Sequence, residues 1–306
     1  MKCIFIYNPK SGKGKVFKNL EYIKQELLKK FDIVDIHETT SQQDTIATAK
    51  KSCELYDAII FSGGDGTFND ITCGIAEMPS RPILGYIPTG TVNDIARNLG
   101  ISKNIKKAVK SVIEGKIVSH DVGMINDTYF IYVAAIGTFA ATSFRTKHKY
   151  KKVLGKFAYL LDGLQELINP ATINAKITTA NGEVFETEAT LLLVMNSISA
   201  GGVPFNKDGH MNDGKFDIVL MKKYLGSGII GIANTILVGV RRKKITKFYQ
   251  LIRSSEFKIE VDKNISWALD GEEGMKGEVR IKNLHNHIQI YVPFKNGKPL
   301  SKHLKI

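Results

Sequence analysis

Apolar residues in the first part of the chain fall into short continuous runs separated by helical stripes. Cys3-Ile4-Phe5-Ile6-Tyr7, residues 33–37, Ala58-Ile59-Ile60-Phe61 and Ile83-Leu84-Gly85-Tyr86-Ile87 have the length and apolar density of strands. Between them the spacing predicts helices over 16–31, where Val16, Leu20, Ile23 and Leu27 recur on one face, and over 44–54, 69–76 and 92–99. A further helix is expected at 105–114, with Ile105, Ala108, Val109 and Val112 aligned. Strands alternating with amphipathic helices imply a parallel sheet. From about Ile117 the pattern changes to short alternating runs at 117–123, 128–135, 172–179, 191–196, 216–221, 257–261, 265–269, 279–282 and 287–292. Turn pairs such as Asn181-Gly182 and Asp213-Gly214 separate them, so a mostly antiparallel β domain is expected. One helical stretch, 153–168, interrupts it, and the main boundary falls near residue 123.

Candidate chemistry lies where three of the early strands end. Ala58–Phe61 runs into Ser62-Gly63-Gly64-Asp65-Gly66-Thr67-Phe68-Asn69-Asp70. Glycines let an anion approach the backbone closely, and the following helix offers unpaired N–H groups. A lone Asp among those donors suits phosphate only if Mg²⁺ stands between them, which points to nucleotide chemistry. Ile83–Ile87 runs into Pro88-Thr89-Gly90-Thr91-Val92-Asn93-Asp94-Ile95-Ala96-Arg97, with Gly100 as a C-cap. The first strand runs into Asn8-Pro9-Lys10-Ser11-Gly12-Lys13-Gly14. This last turn lacks the P-loop spacing, so Lys10 and Lys13 read equally well as surface residues or phosphate contacts. Three such turns would converge on the ligand-binding edge of a parallel sheet.

In this order, the three elements resemble the diacylglycerol kinase catalytic family, in its soluble bacterial lipid-kinase branch. That family shows N-P-x-x-G-x-G, then G-G-D-G-T-x-N-[ED], then P-x-G-T-x-N-D-x-A-R. Asp270-Gly271-Glu272 supplies a fourth match downstream. Asp70 stands where bacterial relatives often carry Glu, and the carboxylate is kept. The resemblance implies an α/β protein of two domains, with the active site in the cleft between them. The first is a three-layer α/β nucleotide domain like that of NAD kinases and phosphofructokinases, residues 1–123, to which 296–306 return. The second is a β-rich antiparallel sandwich, residues 124–295, which takes the acceptor lipid.

The activity implied is transfer of the γ-phosphoryl group of ATP, with Mg²⁺, to a hydroxyl of a membrane lipid such as diacylglycerol. Glu272 is the implied general base, with the adjacent Glu273 as the alternative. Asp65 would serve Mg²⁺ through water, with Asp94 and Asp270 in the same network. Nucleotide contacts are implied for Asn8, Gly63, Gly64, Asp65, Gly66, Thr67, Asn69, Gly90, Thr91, Asn93 and Thr39, with Thr40 the alternative to Thr39. A structural Mg²⁺ is implied at Asp213, assisted by the backbone carbonyls of His210 and Lys215. An NAD kinase shares G-G-D-G and stands as the second enzyme reading; Pro88–Arg97 and Asp270-Gly271-Glu272 favour the lipid kinase. A non-catalytic nucleotide or lipid sensor is the third, and the intact Asp65, Asp94 and Glu272 argue against it.

Charge adds a partner. The 306 residues carry 43 Lys and Arg against 30 Asp and Glu, a formal net charge of +13. Such a surface favours polyanions. The basic clusters 147–152 and 241–244 adjoin apolar stretches, which suits an anionic membrane surface, while no nucleic-acid module is recognisable. No apolar run reaches the roughly 18 residues of a membrane span, and the start of the chain lacks a signal-peptide layout. Cys3, Cys53 and Cys73 show no C-x-x-C spacing, consistent with reduced thiols. The expectation is a cytoplasmic protein that associates peripherally with the membrane, with a homodimer left open.

Overall fold

The structure, a computed structural model, describes residues 1–9, 11–137, 172–222, 239 and 248–305, leaving aside the Lys13 side chain. Lys10, the helical stretch 153–168, both basic clusters and nearly all of the apolar stretch 225–240 lie outside the described residues. The chain divides into two units. Unit 1 comprises Met1–Val122 and His285–Ile306, and unit 2 comprises Gly123–Leu284.

Unit 1 begins with β1 (Lys2–Tyr7), α1 (Leu20–Leu27), β2 (Ile33–Glu38), α2 (Gln42–Ser52), β3 (Ala58–Gly63), α3 (Asp65–Ile75) and β4 (Ile83–Pro88). Then come α4 (Asp94–Leu99), α5 (Ile105–Ile113) and β5 (Lys116–Ile125), which leads out of the unit. Strands β4, β3, β1 and β2 lie side by side in that order, all parallel. β3 is buried along its whole length, which is why its sequence shows no alternation. Two helices start on side-chain caps: Ser41 accepts from the Asp44 N–H at 3.1 Å, and Asn104 from the Lys107 N–H at 3.1 Å. The expected helix over 16–31 is shorter, because Phe17–Asn19 form a 3₁₀ turn before α1. Val16, Ile23 and Leu27 are nevertheless all buried.

Unit 2 carries β6 (Thr128–Phe130), β7 (Val133–Gly137), β8 (Ile173–Thr179), β9 (Val184–Met195), β10 (Phe216–Lys222), β11 (Tyr249–Ser254) and β12 (Glu256–Glu260). β13 (Ser266–Leu269), β14 (Glu272–Lys276) and the first part of β15 (Val279–Val292) complete it. These strands pair antiparallel, and β9 is the hub, flanked by β7, β8 and β10. Trp267, Phe130, Phe216, Leu192 and Ile259 sit at the centre of the core. The Trp267 indole N–H donates to the Gly277 carbonyl at 2.9 Å, so the largest buried ring leaves no polar atom unpaired.

β15 is one strand where two were expected, and it carries the chain back into unit 1 at His285. Residues 285–295, expected in the second domain, therefore belong to unit 1. Ile288, Ile290, Tyr291 and Val292 are buried there, and Ile290 pairs parallel with Leu84 of β4. The last strands, β16 (Phe294–Lys295) and β17 (Lys298–Pro299), form a short hairpin. The return is tied to β5 by the buried Asp121, whose carboxylate accepts from His285 Nδ1 at 2.9 Å and the Asn286 N–H at 2.8 Å.

His120, next to Asp121, is 2% exposed. Burial pushes its pKa below the ordinary imidazole value, with the Asp121 carbonyl and carboxylate pulling the other way. Its neutral form is favoured in the fold, so the stability it contributes is complete above the unfolded value of about 6.5. That stability is lost as pH falls from there through the folded value. Between pH 7 and pH 5 the thermal midpoint of His120→Asn should therefore fall less than that of the native chain. Equal slopes in calorimetry would show that His120 plays no part.

Candidate active site

At one edge of unit 1 the turns after β1, β3 and β4 meet in van der Waals contact. The β3–α3 turn is a single residue, Gly64, with extended dihedrals, and α3 begins at Asp65 rather than at the expected Asn69. The glycine-rich run is thus mostly the first turn of a helix. A Cβ on Gly90 would stand 2.5 Å from the Gly64 Cα, closer than side-chain carbons come to backbone. A Cβ on Gly12 would stand 2.9 Å from the Thr89 Cβ, at a φ of +60° that also favours glycine. Hydroxyls bridge the same three turns: Thr89 Oγ1 lies 3.2 Å from Ser11 Oγ and 3.1 Å from Ser62 Oγ.

Asp65 locks two of the turns together. Its Oδ2 accepts from the Asp94 N–H at 3.1 Å and its Oδ1 from the Ile95 N–H at 3.0 Å, so a carboxylate on α3 caps the start of α4. Burial raises its pKa above the ordinary carboxylate value, while the N–H groups of Ile95, Asp94 and Asn93 oppose the shift. Asn93 adopts the left-handed region at φ 55°, which Asn tolerates better than most residues. Its amide donates to the Gly90 carbonyl at 2.6 Å. Asp94 is 1% exposed and pairs with Arg97 Nη1 at 2.9 Å, which gives the N-D-x-A-R spacing a physical reason.

The other expected nucleotide residues surround this junction or its neighbours. Thr67 packs back onto Gly63, where a Cβ would meet its hydroxyl at 2.2 Å. Thr91 is exposed, and Gly66 is exposed on the first turn of α3. The Asn8 carbonyl accepts from the Ser11 N–H at 3.0 Å and shapes the first turn. Asn69 sits one turn into α3, with Cys73 Sγ directed at its side-chain oxygen. Thr39 is buried where β2 ends, its N–H donating to the Tyr7 carbonyl at 2.9 Å. Thr40 is exposed and donates to Asp44 through both N–H and hydroxyl.

In unit 2, Asp270 and Gly271 form the two-residue turn between β13 and β14, with φ of 50° and 92°. Positive φ at both places makes it a primed hairpin turn, for which Asp-Gly is a preferred pair. The Asp270 carboxylate accepts from the N–H groups of Ile131 at 2.6 Å, Tyr132 at 3.0 Å and Val133 at 3.0 Å. These bonds tie the Asp270 side chain to the turn before β7. Glu272 is the first residue of β14 and is exposed, as is Glu273.

Basic side chains stand around Asp213, where a structural Mg²⁺ is expected with the carbonyls of His210 and Lys215. The guanidinium of Arg253 is hydrogen-bonded to Asp213 Oδ2, and its Nε lies 3.7 Å from Asp217 Oδ1. His210 Nδ1 lies 3.7 Å from the same Asp213 oxygen. Lys215 is exposed beside them. Arg253 was out of view because β11 had not been expected as a strand, although Arg253 is the cross-strand partner of Asp217. Among the described residues no group of three or more His, Cys, Asp or Glu is arranged to hold a metal ion. Tyr86, Thr89 and Ser11 are further site residues that the sequence reading missed. Only the hydroxyls flanking the glycines hinted at them.

Residues 2–125 match the diacylglycerol kinase catalytic domain. The chain is 34% identical over 302 residues to a diacylglycerol kinase of Bacillus subtilis (strain 168), covering 96% of this chain and 97% of that one. A diacylglycerol kinase of Staphylococcus saprophyticus is 33% identical over 290 residues, with 94% of each chain covered. A crystal structure of a diacylglycerol kinase from Bacillus anthracis superposes with a TM-score of 0.76 at 27% identity, over 95% of this chain and 96% of that one. The matching domain and relatives identify a lipid kinase. The chain belongs to the diacylglycerol kinase family.

Arg253 offers a direct check on the Asp213 loop. The side chains of Asp213 and Asp217 are 1% and 3% exposed, so losing the guanidinium removes a cation that faces two buried carboxylates. Arg253→Gln should cost roughly 3 kcal/mol of stability by denaturant unfolding. A loss below about 1 kcal/mol would show that the arginine is not what holds the loop.

Proposed function

We propose that the chain catalyses transfer of the γ-phosphoryl group of ATP to the free hydroxyl of diacylglycerol, with Mg²⁺, to give phosphatidic acid in phospholipid metabolism. The observation that carries this is the backbone-close junction of three glycine turns in unit 1, locked by Asp65. It offers a phosphate chain the N–H groups at the start of α3 without side chains in the way. Thr67 and Thr91 would add hydroxyl donors, and Asn8, Thr39, Asn69 and Asn93 the remaining nucleotide contacts.

Asp65 fits a metal approached through water. It is partly exposed, and each carboxylate oxygen that accepts one N–H keeps a second lone pair. The chemistry that a bound Mg²⁺ supplies is neutralisation of charge on the phosphate oxygens. Asp94 supports the same place by holding Arg97 and the start of α4. Glu272 is the proposed base: it takes the hydroxyl proton of the lipid as that oxygen attacks the γ-phosphorus and ADP departs. Its exposed position after a rigid two-residue turn supports the role, and the commitment of Asp270 to three N–H groups supports a part for Asp270 in fixing that turn. The positive charge and the lipid acceptor favour work at an anionic membrane surface from the cytoplasm. No described helix is long and apolar enough to cross a membrane.

The test is transfer of label from γ-labelled ATP with Mg²⁺ to vesicles containing diacylglycerol, and separately to NAD. Label should appear in phosphatidic acid, whereas label on NAD would overturn the acceptor. Asp65→Ala should abolish transfer. Glu272→Gln should lower turnover roughly a hundredfold or more with ATP affinity nearly unchanged, because a base acts only in the chemical step. An equal fall in ATP affinity would remove Glu272 from that role.

A further inference from the structure

Beneath the junction of the glycine turns lies a tyrosine that no motif includes. Tyr86 sits in the middle of β4, is 1% exposed, and is held by two other rings. It stacks on Phe61 at 5.1 Å between ring centroids, and Phe68 meets it edge-on at 5.2 Å. Phe61 belongs to β3 and Phe68 to the first turn of α3, so the rings fix where the phenol points. Its hydroxyl reaches the Gly63 carbonyl at 3.3 Å and Asn93 Oδ1 at 3.3 Å. A phenol has one hydrogen to donate, so at these equal, long distances it is shared between the two acceptors.

Both acceptors are junction points. The Gly63 carbonyl also receives the N–H groups of Thr89 at 2.8 Å and Gly90 at 3.2 Å, and so ties the β3 turn to the β4 turn. Asn93 sends its amide to the Gly90 carbonyl and starts α4 from the left-handed region. That start presents the Asp94 and Ile95 N–H groups to Asp65. One buried hydroxyl therefore touches both the carbonyl that joins the turns and the side chain that orients the cap on Asp65.

We infer that Tyr86 is a positioning residue for the nucleotide turns, acting through Asn93 and the Gly63 carbonyl to set their spacing. The inference rests on the reading of these turns as the ATP site. Tyr86→Phe removes only the hydroxyl and leaves the ring packing in place, so the fold should persist. The experiment titrates Mg·ATP into the native chain, Tyr86→Phe, Asn93→Ala and the double variant, without lipid, alongside thermal unfolding. The Tyr86→Phe variant should bind Mg·ATP roughly three- to tenfold more weakly, with its midpoint lowered by no more than about 3 °C. The loss in the double variant should be smaller than the sum of the two single losses, because part of the effect of the hydroxyl runs through Asn93. Unchanged affinity in Tyr86→Phe overturns the inference, as do additive losses in the double variant. So does a weakening that disappears when binding is measured well below a lowered midpoint, since that marks a purely structural role. If the native chain itself binds no ATP, the reading of the site falls and takes this inference with it.

Discussion

Unit 1 depends on a carboxylate that starts a helix other than its own. Asp65 stands on the first turn of α3, yet its two oxygens receive the first N–H groups of α4. α4 is short, Asp94–Leu99, and its N-cap residue, Asn93, makes no side-chain cap of its own. Asp65 supplies what is missing there. The capping bonds lower the cost of keeping a carboxylate in a partly buried place, and the carboxylate fixes the distance between two sheet turns. The glycine contact follows from that distance, because Gly90 approaches Gly64 closer than a residue with a Cβ allows.

Much of this was legible in the chain. Continuous apolar runs gave the parallel strands, since strands buried on both faces have no alternation to show, as β3 illustrates. Gly63, Gly64, Gly90 and Asp65 stood out because few other pressures place that many glycines around one acid. The start of α3 was misjudged for the same reason: glycines at 63, 64 and 66 look like a loop, yet Gly63 ends β3, Gly64 alone makes the turn, and Gly66 is helical despite its low propensity. Tyr86 was invisible because an aromatic residue in an apolar run reads as core, and its polar end shows only when Asn93 is brought beside it.

What the chain hid in unit 2 shares a cause: long-range partners. β11 was missed, and with it Arg253, forty residues from Asp213, which it meets through the β10–β11 register. The guanidinium is thus a partner of the Asp213 carboxylate that no local spacing reveals. The Asp270 carboxylate also accepts from N–H groups of residues 131–133, more than a hundred positions earlier. The Asp-Gly pair is first a hairpin turn, whose φ values require it, and that turn sets the place of Glu272. The split of 279–282 from 287–292 came from the polar residues between them, which a single long strand carries across the boundary of the units.

The most direct test of the central claim, that the locked glycine turns of unit 1 are a nucleotide phosphate site, is amide hydrogen exchange with and without Mg·ATP. The account predicts added protection confined chiefly to the turns at 8–14, 63–67 and 89–95, with the amides of Asp94 and Ile95 already slow to exchange in the free chain. Protection elsewhere with these turns unaffected, or rapid exchange at Asp94 and Ile95, would contradict it.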